Sequence, residues 1–339
     1  MKKMLAAIIS AILMLSIASC GTQTGDSSGS GDTEQAITLR LGHKMTADSL
    51  DGQAFQMFAD LVEEKTNGSV KIEVFPASQL SDGSTQVNNV ILGAQDLYAE
   101  SLSEWSGITK TVDIANVPYL FNSNEQYFEV VRGEFGARQA EELENGGVKL
   151  LNTERNWIRG PYRVICSTVP ITSMEDFSGL RLRTWEAAAY MECWSALGAN
   201  PLVIGWNDTY LSLSQGTVQA VTAPASQVET MAFYEVAPYI TNINEFPQEI
   251  GIVMNKAKFD SLSAEQQQAL FDAANEAGEW ASSAVYDYVE ESFARMEEAG
   301  ATFYEMDTAS CTETLIPVYE RLVSEGSLPE GLLESLGLV

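Results

Sequence analysis

The residues best suited to ligand chemistry are five closely spaced arginines: Arg155, Arg159, Arg163, Arg181 and Arg183. Even spacing of the chain's cations would place roughly one or two in such a stretch. A guanidinium binds a carboxylate through two parallel hydrogen bonds in a fixed geometry, which a lysine cannot do. The cluster therefore predicts a site for an organic anion. The alternative is that these arginines form surface ion pairs with the chain's many acids.

Aromatic residues are interleaved with these arginines, namely Trp157, Tyr162, Trp185, Trp194 and Trp206. An arginine between aromatic walls suits a carboxylate that carries an organic body. We expect Trp194 in the core, because it lies in an apolar helical stretch. For Trp185 and Trp206, core packing and ligand contact both remain open.

Other reactive residues are few. The single histidine, His43, follows the first predicted strand, where binding residues often gather, so it contacts a ligand or caps a loop. One histidine without an organised partner does not make a catalytic site or a histidine-rich metal site. Neither an enzyme activity, nor a metal, nor a cofactor is predicted.

The cysteines do not form a recognisable reactive motif. Three of the four, Cys166, Cys193 and Cys311, lie in the body of the chain, and no C-x-x-C spacing is present. We expect buried structural thiols, and a Cys166–Cys193 disulfide remains open.

Length and charge exclude several classes of protein. The chain has 339 residues, 19 Lys and Arg against 47 Asp and Glu, and a formal net charge of −28. Nucleic acid is therefore excluded as a partner, because phosphate binding needs a cationic surface. With 45% apolar residues the chain can bury a sizeable core, and its length favours two lobes of about 150 residues each.

The N-terminus has the pattern of a bacterial lipoprotein signal. Lys2 and Lys3 precede an apolar run at 4–17, and small residues lead to Cys20. We expect residues 1–19 to be a signal peptide and Cys20 to carry the lipid; an ordinary signal peptide with a chance cysteine is the alternative. Residues 20–35 are rich in Gly, Ser, Thr and Asp and predict a flexible tether.

The body of the chain alternates strands and helices. Apolar alternation predicts strands at 37–41, 70–74, 96–100, 148–151, 162–167, 180–184, 217–222 and 250–254. Capped apolar stripes predict helices at 50–67, 84–92, 122–147 and 186–197. Residues 263–299 form one long helical stretch whose only breaker is Gly278, and we expect it to brace two lobes. The fold class is α/β with two lobes.

Several spaced motifs resemble one family. They are FPASQLSDG at 75–83, VPYLF at 117–121, FSGLRLR at 177–183, ALGANP at 196–201 and D-x-Y-x-x-L-x-x-G-x-V at 208–218. In this order they resemble the DctP-type solute-binding proteins of TRAP (tripartite ATP-independent periplasmic) transporters, over about residues 37–325.

The resemblance implies a periplasmic-binding-protein-like α/β fold with a ligand cleft between two lobes and a long helix spanning both. Lobe I would comprise 36–160 plus about 249–288, and lobe II 161–248 plus about 289–339. The implied function is capture of a small organic acid and its delivery to the small and large membrane subunits of a TRAP permease.

The resemblance also implies site residues. Arg183 matches the family arginine that binds the ligand carboxylate, and Arg163 matches a second one. Glu100 matches an acid of the family, and Trp206 matches an aromatic residue before the D-x-Y element. Further ligand-binding candidates are Trp185, Tyr162, Tyr210, His43 and Gln219.

One position departs from the family pattern. Where the family often has an asparagine that contacts the carboxylate, this sequence has Ala223, which cannot donate that hydrogen bond. We expect Gln219, Thr222 or water to take its place.

Two alternatives share some of these features. An ABC-type binding lipoprotein would have the same signal and lobes, and a secreted enzyme would use His43. The main interpretation is a monomeric, lipid-anchored extracytoplasmic receptor whose ligand, an aromatic, dicarboxylic or sugar acid, the sequence leaves open.

Overall fold

The computed structural model describes residues 36–339, so the predicted signal peptide, Cys20 and the whole of the predicted tether lie outside the described residues. The strands are β1 Ile37–Gly42, β2 Val70–Phe75, β3 Leu97–Ser101, β4 Val148–Leu150, β5 Arg163–Ser167, β6 Arg181–Thr184, β7 Asn200–Val203, β8 Ala220–Pro224, β9 Tyr239–Asn242, β10 Ile250–Asn255 and β11 Thr302–Glu305. The α-helices are α1 Leu50–Lys65, α2 Gly83–Ile91, α3 Asn124–Val131, α4 Glu134–Asn145, α5 Ala188–Ala196, α6 Thr209–Ser214, α7 Phe233–Val236, α8 Lys256–Asp260, α9 Ala264–Glu298, α10 Ala309–Ser324 and α11 Leu332–Ser335.

The first lobe is built on a five-stranded sheet with the order β2-β1-β3-β10-β4. β1 is parallel to both β2 and β3, whereas β10 is antiparallel to β3 and β4. Leu39 and Leu41 alternate onto one face of β1 and are fully buried in a cluster with Phe55 and Phe58 of α1. Each such buried side chain contributes about 1.5–3 kcal/mol. Because β1 and β3 are parallel, the residues after them meet at one edge of the sheet.

The second lobe is built on a six-stranded sheet with the order β11-β9-β5-β8-β6-β7. β6 is parallel to β7 and β8, so the residues that follow these three strands gather at one edge. β5 runs antiparallel to β8, and its first residue, Arg163, pairs with Pro224 at the end of β8. This register brings the start of β5 to the same edge.

Helix α9 spans both lobes, as predicted. Ser263 and Gln266 form a capping box at its start. Its first half, including Leu270, packs in the apolar cluster of the first lobe, and its second half, including Val289, packs in a cluster of the second. Gly278 stands where an added Cβ would lie 2.7 Å from Asn156 Oδ1, so the close approach of the chain at this point requires glycine.

Most predicted elements are confirmed, with two corrections. The helix predicted over 122–147 is two helices, because α3 ends near Arg132 and α4 is capped by Gly133. The strand predicted over 217–222 lies later, as β8. The sequence analysis did not predict β7, β9, β11 or α10, which contains Pro317.

The three cysteines of the body are free and buried, so the Cys166–Cys193 disulfide that the sequence left open does not form. Within residues 36–339, no helix has the length and apolar character needed to cross a membrane.

Candidate functional site

Two chain segments cross between the lobes side by side. Ile158 and Glu249 form an antiparallel bridge, Arg159 N donates to Gln248 O at 2.8 Å, and Ile250 N donates to Trp157 O at 3.0 Å. The first segment carries Arg155, Arg159 and Arg163, and the second carries Glu245 and Glu249. The spacing of four on both segments places arginines and acids together at the crossing.

Three of the five clustered arginines are neutralised there. Arg155 Nη2 lies 2.6 Å from Glu249 Oε2, and Arg163 Nε lies 2.8 Å from Glu245 Oε2. Arg159 Nε lies 2.7 Å from Asp51 Oδ2. All three arginines are at most 4% exposed, so these are buried ion pairs and not the surface pairs considered from the sequence. Losing one partner of such a pair costs about 3–5 kcal/mol.

A cavity that is partly open to solvent lies between the two sheets at the edges described above. The first lobe contributes Lys44, Met45, Glu100, Ser101, Ser103 and Glu104. The crossing segments and the second lobe contribute Arg159, Arg163, Arg183, Trp185, Trp206, Pro224, Gln227 and Gln248.

Arg183 is the exception among the charged residues of this cavity. It is 5% exposed, and its Nε donates to Ile204 O at 2.9 Å. Among the described residues, no carboxylate lies within ion-pair distance of it. Burial lowers the pKa of Arg183 to about 10, and the nearby charge of Arg163 adds to this lowering. The side chain is therefore a desolvated cation at neutral pH without a fixed counterion.

Two tryptophans stand beside Arg183. Trp206 has its ring centroid 5.2 Å from the Arg183 Cζ and packs edge-on against Phe233. Trp185 stacks on Tyr190 with centroids 4.1 Å apart. Both side chains are therefore held by aromatic neighbours while they line the cavity. Trp194 is fully buried in the core, as predicted.

The wall from the first lobe is polar. Glu100 forms an ion pair with Arg159, and its Oε2 has no hydrogen-bond partner among the described residues. Burial acts to raise the pKa of Glu100, but Arg159 and Lys44 hold it below its ordinary value. Ser101 and Ser103 share a hydrogen bond of 2.9 Å between their hydroxyls.

Of the nine predicted ligand-binding residues, the structure brings five to the cavity: Arg183, Arg163, Glu100, Trp206 and Trp185. Four others do not line it. Tyr162 precedes Arg163 and points to the opposite side, where its ring meets Phe293 in a separate open groove. Tyr210 lies on α6 and donates to Glu235 at 2.9 Å.

Gln219 and His43 are the remaining two. Gln219 is half-buried beside a separate open groove, and its Oε1 accepts from Arg181 N at 3.3 Å. His43 is fully buried against Phe55, with ring centroids 4.8 Å apart. Burial lowers the pKa of His43 to about 4, so its ring is neutral at pH 7.

The position that departs from the family pattern faces away from the cavity. Ala223 belongs to an apolar cluster with Val164, whereas Pro224 lines the cavity. Thr222 does not substitute for the missing asparagine, because its hydroxyl bonds to Arg163 Nη2 at 2.9 Å and to Tyr190. Among the lining residues, amide groups come instead from Gln227 and Gln248.

Several lining residues were not predicted from the sequence. Lys44, Ser103 and Glu104 follow β1 and β3, and the rule that side chains after parallel strands gather at one edge could have identified them. Gln227 and Gln248 carry no such signal in the sequence. Arg159 was in the arginine cluster but not among the predicted ligand-binding residues.

Comparisons with known proteins agree with this architecture. The model of the family described as "Bacterial extracellular solute-binding protein, family 7" (DctP) matches residues 41–325. The 2,3-diketo-L-gulonate-binding periplasmic protein YiaO of Escherichia coli is 29% identical over 78% of this chain and 80% of its own length. The C4-dicarboxylate-binding periplasmic protein DctP of Rhodobacter capsulatus is 28% identical over 85% and 87%.

A solved structure has the same fold. The TRAP periplasmic solute binding protein of Roseobacter denitrificans OCh 114 with bound L-galactonate superposes with a TM-score of 0.79. The two sequences are 25% identical, and the match covers 90% of this chain and 99% of that one.

Proposed function

The chain belongs to the bacterial extracellular solute-binding protein family 7, and on this premise we propose that it binds a small organic acid whose carboxylate pairs with Arg183. The observation that carries the proposal is the buried guanidinium of Arg183, which lines the cavity without a carboxylate partner. Such a charge is costly unless a ligand neutralises it. A bound carboxylate supplies the missing partner.

The energetics favour this position over the other arginines. A hydrogen bond to a charged group contributes about 1.5–3 kcal/mol, and a bidentate arginine–carboxylate pair makes two of them. Arg163 already donates hydrogen bonds to Glu245, Gln248 and Thr222. We therefore propose that it shapes the cavity wall and adds positive potential there, whereas Arg183 pairs with the ligand carboxylate. Glu100, Trp185 and Trp206 complete the proposed contacts with the body of the ligand.

We propose a sugar acid as the ligand class. The lining residues offer hydroxyl and amide groups on Ser101, Ser103, Gln227 and Gln248, which suit a polyhydroxylated body. The relatives named for 2,3-diketo-L-gulonate and crystallised with L-galactonate support this choice. The faces of Trp185 and Trp206 would cover the carbon skeleton and exclude water.

Capture would proceed by closure of the two lobes, at the predicted boundaries of 36–160 plus about 249–288 and 161–248 plus about 289–339. Residues from both lobes line the cavity, so a ligand stabilises the closed arrangement. The closed receptor would then deliver its ligand to the small and large subunits of a TRAP permease. Turnover of the ligand forms no part of this function.

The predicted lipid anchor on Cys20 is part of the proposal. A lipid on this cysteine would hold a monomeric receptor at the membrane surface, with residues 20–35 as a tether. Mass spectrometry of the mature N-terminal peptide tests it. A diacylglyceryl-modified Cys20 supports the anchor, and an unmodified Cys20 or a cleavage site beyond it contradicts the anchor.

Native mass spectrometry of the purified protein tests the ligand class. We expect the receptor to carry one small acid, which denaturation releases for identification. A panel of sugar acids, aromatic acids and dicarboxylates in a thermal-shift assay gives the independent check. If no carboxylate co-purifies and none raises the melting temperature, the proposal fails.

A further inference from the structure

The charges around the cavity are almost fully paired. Four cations line it, namely Lys44, Arg159, Arg163 and Arg183. Lys44 pairs with Glu104, Arg159 with Asp51 and Glu100, and Arg163 with Glu245. Because Arg159 pairs with two of these four carboxylates, Arg183 has no carboxylate partner among the described residues and is the cation that a ligand can neutralise.

The Lys44–Glu104 pair is built into the wall of the first lobe. Lys44 Nζ donates to Glu104 Oε1, and Tyr98 Oη donates to Glu104 Oε2 at 3.1 Å. Gly83 makes room for the pair, because an added Cβ would lie 2.5 Å from Glu104 Oε2 and 2.5 Å from Lys44 Cε. The two side chains are only 18% and 14% exposed.

This wall and Arg183 line the same cavity, the wall from the first lobe and Arg183 from the second. Burial lowers the pKa of Arg183, and the negative charge of Glu104 opposes that lowering. A ligand that fills the cavity while its carboxylate pairs with Arg183 would therefore lie beside Glu104 and Glu100.

We infer that Glu104 restricts the site to acids that carry a single carboxylate. The inference rests on the proposed function, because it assumes that one carboxylate binds Arg183. A second carboxylate on the ligand would meet two like charges and no unpaired cation, which is unfavourable in a desolvated site. A hydroxyl at that end can instead donate to a glutamate oxygen and accept from Lys44.

The variant Glu104→Gln tests whether the charge of this side chain, rather than its size, restricts the ligand. The amide keeps the size of the side chain but removes its negative charge, so Lys44 loses its counterion. The variant then presents two unpaired cations, Lys44 and Arg183, on opposite walls. We expect a dicarboxylate to gain affinity relative to the matched monocarboxylate.

Isothermal titration calorimetry with matched six-carbon acids measures this ratio. The probes are D-gluconate with D-glucarate and D-galactonate with galactarate; the second acid of each pair carries a carboxylate where the first has its terminal hydroxymethyl group. We expect the wild-type protein to bind the better monocarboxylate at least tenfold more tightly than its partner. Glu104→Gln should reduce this preference at least tenfold.

Glu144→Gln is the matched control, because Glu144 pairs with Lys149 in the same lobe, away from the cavity. This variant removes the same charge and should keep the wild-type ratio. Thermal unfolding of each variant confirms that it is folded before titration.

Each other outcome has one meaning. Wild-type protein that binds the dicarboxylate as tightly as the monocarboxylate overturns the restriction and leaves the receptor function standing. A ratio that Glu104→Gln does not change, or that Glu144→Gln changes equally, overturns the role of Glu104. If none of the four acids binds and no other acid raises the melting temperature, the proposed function fails, and this inference fails with it.

Discussion

Arg183 and Arg163 both line the cavity, yet their neutralisation should change stability in opposite directions. Arg183→Met removes a buried charge that has no fixed partner. Arg163→Met removes the partner of Glu245, which is fully buried and would be left with an unpaired charge. Methionine keeps much of the length and apolar volume of either side chain, so the comparison isolates the charge.

The magnitude for Arg183 follows from its pKa, which burial lowers from the ordinary value to about 10. The unfolded chain holds this proton more tightly than the folded protein does. The charge therefore opposes folding at every pH below about 10, by roughly 3 kcal/mol. The variant also loses the hydrogen bond to Ile204 O, which lowers its stability by about 1 kcal/mol. We expect Arg183→Met to raise the free energy of unfolding by about 2 kcal/mol, and Arg163→Met to lower it by about 3–5 kcal/mol.

Urea unfolding at pH 7, followed by tryptophan fluorescence, is the appropriate assay. The protein must first be freed of any bound acid by unfolding and refolding, because a ligand stabilises only the folded state. If Arg183→Met destabilises the ligand-free protein, the guanidinium is not an uncompensated charge. If Arg163→Met leaves the free energy of unfolding unchanged, the buried ion pair with Glu245 does not stabilise the protein as proposed.

Two further predictions concern the scaffold. Gly278→Ala should destabilise the protein by about 1–3 kcal/mol in the same urea assay, because its Cβ would lie 2.7 Å from Asn156 Oδ1; an unchanged midpoint would show that the chain relaxes there at no cost. The thiols of Cys166, Cys193 and Cys311 should resist a thiol reagent in the folded protein, because burial raises the pKa of each, and all three should react in urea. Rapid labelling of any of them under native conditions would contradict their burial.

The sequence predicted the region of the cavity correctly but not which of the clustered arginines pair with acids of the protein. Arg155, Arg159 and Arg163 cluster because they follow a segment that crosses between the lobes, where each pairs with a buried acid. Glu249 and Glu245, the partners of Arg155 and Arg163, lie more than 80 residues away in sequence, so local patterns could not reveal the pairing. Only the fold shows that Arg183 is the buried arginine of the cluster without a carboxylate partner among the described residues.

Side-chain direction limited the other predictions. Tyr162 and Arg163 are neighbours on one strand end, and alternation sends one to the cavity and the other to the opposite face. That Tyr162 is aromatic did not indicate on which face of the strand its side chain lies. Lys44 and Glu104 could have been found from the ends of β1 and β3, whereas Gln248 reaches the cavity through the second crossing segment.

Most of the secondary structure could be predicted from the sequence, because periodicity and helix-ending residues are local features. Period-two alternation predicted β1 and β2, and a long Pro-free helical stretch predicted α9. The short strands β7, β9 and β11 depend on pairing with distant partners, which single-sequence periodicity does not encode.

The central claim is that Arg183 holds the carboxylate of the ligand. The direct measurement is calorimetric titration of the acid that co-purifies with the protein into wild type, Arg183→Ala and Arg181→Ala. Arg181 is two residues away on the same strand, and its guanidinium donates to the backbone carbonyls of Gly216 and Thr217. We expect Arg183→Ala to weaken binding at least tenfold, whereas Arg181→Ala should bind as wild type does. Equal affinity of Arg183→Ala and wild type would contradict the central claim.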